Sequence, residues 1–147
     1  MNVPNVNVAE TVSNTIRSSG ICMLSYISTE GYPTTKALNM PRKMEPQGVY
    51  WFSTVNHSTK VDGYRRNSKA SVYFVDQTNF IGVSLSGTME VIDDPAVKRT
   101  FWAIGDEIFY PNGIDSDDYV ILKFTAEAGR LYAQIQHFNF DPKVILK

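Results

Sequence analysis

Residues 48–76 read GVYWFSTVNHSTKVDGYRRNSKASVYFVD, an apolar run, a polar crossing and a second apolar run. The first and last segments are rich in β-branched and aromatic residues and predict strands. Between them, residues 57–67 predict a helix: Ser58 or Thr59 can cap it, Val61 and Tyr64 share one side, and Arg65 and Arg66 fall near the other. The crossing Ser53–Lys60 holds five hydroxyl or amide side chains and a lysine. That is more than a turn needs. Backbone N–H groups at a helix N-terminus, with hydroxyls and Lys60 beside them, suit a phosphate. The competing reading is a plain N-cap and a solvated lysine.

Upstream, Val8, Val12 and Ile16 recur every four residues, Asn7 can cap and Gly20 can close, so residues 8–19 predict an amphipathic helix. The segments ICMLSYIS and TTKALNM, joined by TEGYP, predict a hairpin in which Lys36 and Leu38 share one face and Thr35 and Ala37 the other. A lysine in mid-strand needs water or an anion. PRKMEPQG then reads as a connection. Downstream, ASVYFVD and FIGVSLSGTMEVID predict strands, with Gly82 and Gly87 in the second suggesting a bulge or a bend in a curled sheet. Asp93 or Asp94 before Pro95 starts a helix that AVKRTFWAI continues. GDEIFYPNGIDSDD reads as a loop, and YVILKFTAEA and RLYAQIQHF as two strands separated by Gly129. Six or seven strands with three short helices and no β-α alternation predict one α+β domain over residues 1–147, built on an antiparallel barrel.

Composition narrows the function. The 147 residues carry a formal net charge of −1, so attraction to nucleic acid or an anionic membrane is not general. Charge is segregated, however. Lys36–Lys69 holds seven basic residues against two acids, and Glu90–Asp118 holds eight acids against two basic residues. Cys22 is the single cysteine and sits in an apolar run, which fits a reducing cytosol and a buried side chain. With no signal-peptide pattern and no apolar run long enough to span a bilayer, a cytoplasmic protein without membrane attachment is expected. His57 and His137 are the only histidines, too few for a histidine-rich metal centre. No nucleophile-elbow, P-loop or dinucleotide-binding glycine motif occurs.

In order, LSYISTEGYPTTKALNM, the 48–76 segment, GVSLSGTMEVIDDPAVKRTFW and DSDDYVILKFTAEAGRLY resemble the pyridoxamine 5′-phosphate oxidase-like family, in its general stress protein branch of FMN-binding split barrels. The resemblance runs from Ile21 to Tyr132. It implies a six-stranded antiparallel split β-barrel with a few short helices, paired into a homodimer with FMN at the interface. Lys36, Ala37 and Leu38 match the strand beside the flavin, and Ser53 and Thr54 match the strand end at the phosphate and ribityl chain. Thr59 and Lys60 match the phosphate-holding helix start, although the oxidase proper has Arg at the Thr59 position. Tyr132 corresponds to an aromatic residue that the partner subunit brings near the ring. With Ser58 as the cap, these nine residues form the expected cofactor-binding set.

The reaction is less constrained. Where the oxidase proper carries an Arg-x-His substrate motif, this chain has Ile135 and His137. Authentic pyridoxamine phosphate oxidation is therefore not expected, and no side chain stands out as general acid or base. The resemblance implies an FMN-dependent oxidoreductase acting on a small molecule, with reduced nicotinamide as a candidate donor. The alternatives are an FMN-binding stress protein without turnover and, from the basic central segment with its aromatics, a barrel for single-stranded nucleic acid.

Overall fold

A computed structural model describes residues 5–147. Helix α1 (Val8–Ser18) leads into strands β1 (Ile21–Ile27), β2 (Pro33–Asn39), β3 (Lys43–Glu45) and β4 (Val49–Val55). Helix α2 (Thr59–Arg66) precedes β5 (Lys69–Asp76) and β6 (Ile81–Ile92). After α3 (Pro95–Phe101) come β7 (Tyr119–Ala133), β8 (Gln136–Phe140) and α4 (Pro142–Ile145). Single 3₁₀ turns lie at Pro46–Gly48 and Asp106–Ile108.

All pairings are antiparallel, in the order β2-β1-β5-β6-β7-β4-β3, with β8 on β7. The expected α+β class and antiparallel barrel are both present. Among the described residues eight strands replace the six expected, because β3 and β8 add short pairings at the margin. Strand β7 gives one edge to β6 and divides the other: residues 119–125 pair β4 and residues 129–133 pair β8.

Gly129 therefore does not separate a pair of strands. It is buried within β7, where a Cβ would lie 2.2 Å from the Phe140 ring, so glycine is needed for close packing rather than for a turn. The chain reverses later, at Gln134, whose φ is 57°. Gly87 marks the foreseen irregularity, a register shift between Ser86 and Gly87, and a Cβ there would meet the Thr125 carbonyl oxygen at 1.9 Å. Helix α3 ends at Phe101 rather than running to Ile104. Trp102 adopts extended backbone, and its ring lies 5.2 Å from that of Tyr119. Strand β3, within the supposed connection, and α4 were not foreseen.

The caps follow the sequence. Asn7 Oδ1 accepts from the Glu10 N–H at 3.1 Å, Ser58 Oγ from Val61 N–H at 3.4 Å, and Asp94 Oδ1 from Ala96 N–H at 2.8 Å. Alternation places Leu24, Phe52, Phe74, Leu85, Leu122, Phe124 and Leu131 inside the curled sheet, with Val12 and Ile16 of α1 packed against them. Each such side chain contributes roughly 1.5–3 kcal/mol by leaving water. A smaller cluster of Tyr110, Tyr119 and Ile121, flanked by Trp51, Phe101 and Trp102, lies beneath the segment after α3. No helix among the described residues is long and apolar enough to cross a membrane.

Candidate functional site

Strands β2 and β4 share no hydrogen bonds and are separated along the sheet by four strands. The curl nevertheless brings both to one cavity of about 420 Å³, within the range of small-molecule sites. Residues 36 and 38–40 line it from β2 and its end, and residues 52–55 from β4. His57, Ser58 and Lys60 reach it from the α2 approach, and Arg42, Phe109 and Tyr110 complete the wall.

The crowded segment Ser53–Lys60 divides its polar side chains among separate tasks. Asn56 is a brace: its N–H donates to the Asp118 carbonyl, its Nδ2 to the Asp117 carbonyl at 2.9 Å, and its Oδ1 accepts from Arg65. Thr59 turns away from the cavity and its Oγ1 lies 3.0 Å from the Tyr26 hydroxyl. Ser58 caps α2 and accepts from Lys60 Nζ at 3.3 Å. Thr54 is buried at the cavity wall and His57 is exposed at its edge.

Among the described residues at this cavity, one hydroxyl lacks a hydrogen bond and one buried cation lacks a counter-charge. Ser53 Oγ is shielded from solvent and has no hydrogen-bond partner among the described residues. Lys60 is 2% exposed, and none of the four ion pairs among the described residues involves Lys60 or Lys36. Burial, and secondarily repulsion from Lys36, pushes the Lys60 ammonium down to about 8. Burying a cation without a counter-charge is costly, so a buried lysine, a second lysine and an unpaired hydroxyl in one cavity describe a receptor for an anion with several oxygens. Arg42 does not add to that charge, because its guanidinium is paired with the buried Asp106 at 2.6 Å.

Of the nine residues expected from the sequence, Lys36, Leu38, Ser53, Thr54, Ser58 and Lys60 meet at this cavity. Ala37 is on the opposite face of β2, opposite Met23 in the register. Thr59 faces a second cavity of similar volume on the far side of α2, lined also by Glu30, Asp62 and Arg66. Tyr132, 40% exposed, stands on β7 between Gly82 and His137, with Arg130 5.3 Å from its ring centre. Sequence reasoning missed Arg42, Phe109 and Tyr110 as lining residues. The pairing of Arg42 with Asp106 spans 64 positions and leaves no local pattern. Phe109 and Tyr110 sit in a segment whose Gly, Pro and Asp content signals only a loop.

Among the described residues no group of three His, Cys, Asp or Glu side chains is placed to hold a metal ion. Cys22 is buried in the core and its thiol is pushed up to about 12 by that burial, which removes it from nucleophilic chemistry.

A family model described as pyridoxamine 5′-phosphate oxidase like matches residues 7–140. The crystal structure of a Clostridium acetobutylicum protein related to general stress protein 26 of B. subtilis superposes with a TM-score of 0.83 at 34% identity, covering 97% of this chain and 99% of that one. A pyridoxamine 5′-phosphate oxidase-related, FMN-binding protein from Nostoc punctiforme gives 0.72 at 12% identity, over 95% and 91%. A heme-binding protein from Mycobacterium smegmatis gives 0.73 at 17% identity, over 98% and 62%. The last two similarities concern the fold alone. Among curated protein sequences no match is found.

Proposed function

The chain belongs to the pyridoxamine 5′-phosphate oxidase-like family, and from that premise we propose that it binds FMN and acts as an oxidoreductase on a small molecule, with reduced nicotinamide as the electron donor. One observation carries the proposal: Ser53 Oγ, shielded and without a hydrogen-bond partner among the described residues, and Lys60, buried with a neutral serine hydroxyl but no counter-charge beside it, line the same cavity. A phosphate monoester satisfies both. Its oxygens accept from the serine hydroxyl and from the lysine ammonium, and its charge relieves the repulsion between Lys36 and Lys60.

In this reading Ser53, Ser58 and Lys60 hold the phosphate, Lys36 adds long-range charge, and Leu38 with Phe52 gives the cavity an apolar floor that excludes water. FMN, when bound, supplies a ring that accepts and returns a hydride equivalent. A second copy of the chain completes the proposed site. Ala37 and Tyr132, expected near the flavin, lie outside the cavity, so they contribute only through a neighbouring molecule that brings the outer sheet face to the ligand.

A second reading, FMN binding without turnover, is favoured by one feature. Among the described residues no carboxylate lines the cavity, burial raises the Tyr110 hydroxyl above its ordinary value, Lys60 is committed to the phosphate and His57 stands exposed at the cavity edge, so no side chain is set aside as a proton donor to the ring. Anaerobic addition of reduced nicotinamide to the FMN-loaded protein separates the two. Bleaching of the flavin absorbance supports the oxidoreductase. Flavin that stays oxidised with several hydride donors rejects it in favour of binding alone.

A further inference from the structure

Resting on the FMN reading above, we propose that Phe109 is the residue that selects the planar part of the ligand, and that the ion pair of Arg42 with the buried Asp106 positions it. Phe109 lines the same cavity as Lys60 yet is 65% exposed, although its aromatic neighbours Trp102, Tyr110 and Tyr119 are packed together. A large ring held at a cavity wall with a free face offers stacking area to a planar group.

The backbone that presents this ring is held by one residue, Asp106, through its carboxylate and its carbonyl. Asp106 Oδ1 accepts from Arg42 at 2.6 Å, and Oδ2 accepts from the Ala103 N–H at 2.9 Å. The Asp106 carbonyl in turn accepts from the N–H groups of Phe109 and Tyr110 at 3.0 and 2.8 Å. Behind Phe109, Tyr110 is anchored against Tyr119, with ring centres 4.8 Å apart. Arg42 is itself fixed, because its N–H donates to the Trp51 carbonyl at 2.7 Å, beside the start of β3. The ion pair thus ties the 3₁₀ turn to the strand pair β3–β4. It also neutralises Arg42, leaving the anion to the two lysines. One cavity therefore combines an anion receptor with a free aromatic face, and the ligand class that uses both is an aromatic ring system carrying a phosphate.

The test is FMN titration of the full-length protein and three variants, read as Kd and as the visible circular dichroism of bound flavin. Phe109→Ala raises the Kd about tenfold and alters the flavin dichroism, whereas Phe109→Trp restores both. Asp106→Asn raises the Kd with the same dichroism change as Phe109→Ala, a signature that a general loss of stability would not produce. An unchanged Kd in Phe109→Ala overturns the proposal. A change of oligomeric state at unchanged Kd also overturns it and assigns Phe109 to a contact between copies. Weaker binding by Asp106→Asn with wild-type dichroism overturns the positioning role of the pair. A wild-type protein that takes up no FMN overturns this proposal together with the reading beneath it, whereas normal uptake with an indifferent Phe109 overturns this one alone.

Discussion

Ser53 and Lys60 place binding and stability in opposition. A shielded hydroxyl without a partner costs the folded chain about 1–3 kcal/mol. Ser53→Ala is therefore expected to raise the urea midpoint of the ligand-free protein while weakening FMN binding. A variant that lowers both quantities would mean that Ser53 serves packing. Lys60 makes a pH-dependent argument of the same kind. In the unfolded chain it stays protonated to about 10.5, whereas in the fold it loses its proton near 8 because burial and Lys36 disfavour the ammonium. Between those values the unfolded chain binds more protons, so stability of the ligand-free protein rises with pH across that window, by at most about 3 kcal/mol. Below pH 8 the full penalty is present. Lys60→Met removes the rise, and bound FMN, which favours the ammonium, binds less tightly as pH climbs past 8. A wild-type unfolding free energy that is flat from pH 8 to 10 would count against a buried, unpaired Lys60. The residue types in Ser53–Lys60 pointed to an anion because hydroxyls and a cation are legible one at a time. That Asn56 braces a distant loop and Thr59 bonds Tyr26 was not legible, since both facts depend on partners 61 and 33 positions away.

Among the elements, capping and alternation were readable because their causes are local. Ser58, Asn7 and Asp94 cap where their side chains predict, and buried residues alternate along β4 and through the middle of β5 and β6. Glycine was harder, because it serves both reversal and close approach. Gly129 looked like a turn and proved to be the point where β7 admits the Phe140 ring, whereas Gly87 meets backbone at the register shift. The two differ in what can yield. Gly87→Ala drives a Cβ into a carbonyl oxygen and is expected to destabilise by about 1–3 kcal/mol or more, read as a lower melting temperature. Gly20→Ala, with nothing within 4 Å of the added carbon, should melt within about 0.5 kcal/mol of wild type. Equal melting temperatures for the two variants would contradict the register shift described for β6 and β7.

For the molecule entire, the cavity exists because a curled sheet brings β2 beside β4, and because the segment after α3, distant from β2 along the chain, covers the approach. The antiparallel class followed from the order of strands and the lack of β-α alternation. The aromatic wall did not, since Phe109, Tyr110 and the Arg42–Asp106 tie become meaningful only once the sheet has curled. The proposed pairing with a second copy predicts a solution mass of twice 16.6 kDa, with one FMN per chain. A monomer that binds FMN at full affinity would show that Ala37 and Tyr132 have no role in the site.

The most direct test of the account is to titrate FMN into the wild-type protein and Lys60→Met in parallel, following flavin fluorescence. Saturable quenching by the wild type, with affinity lower by about 1–3 kcal/mol in the variant, is the predicted result. Identical curves would place the phosphate elsewhere, and an absence of quenching by the folded wild type would contradict FMN binding itself.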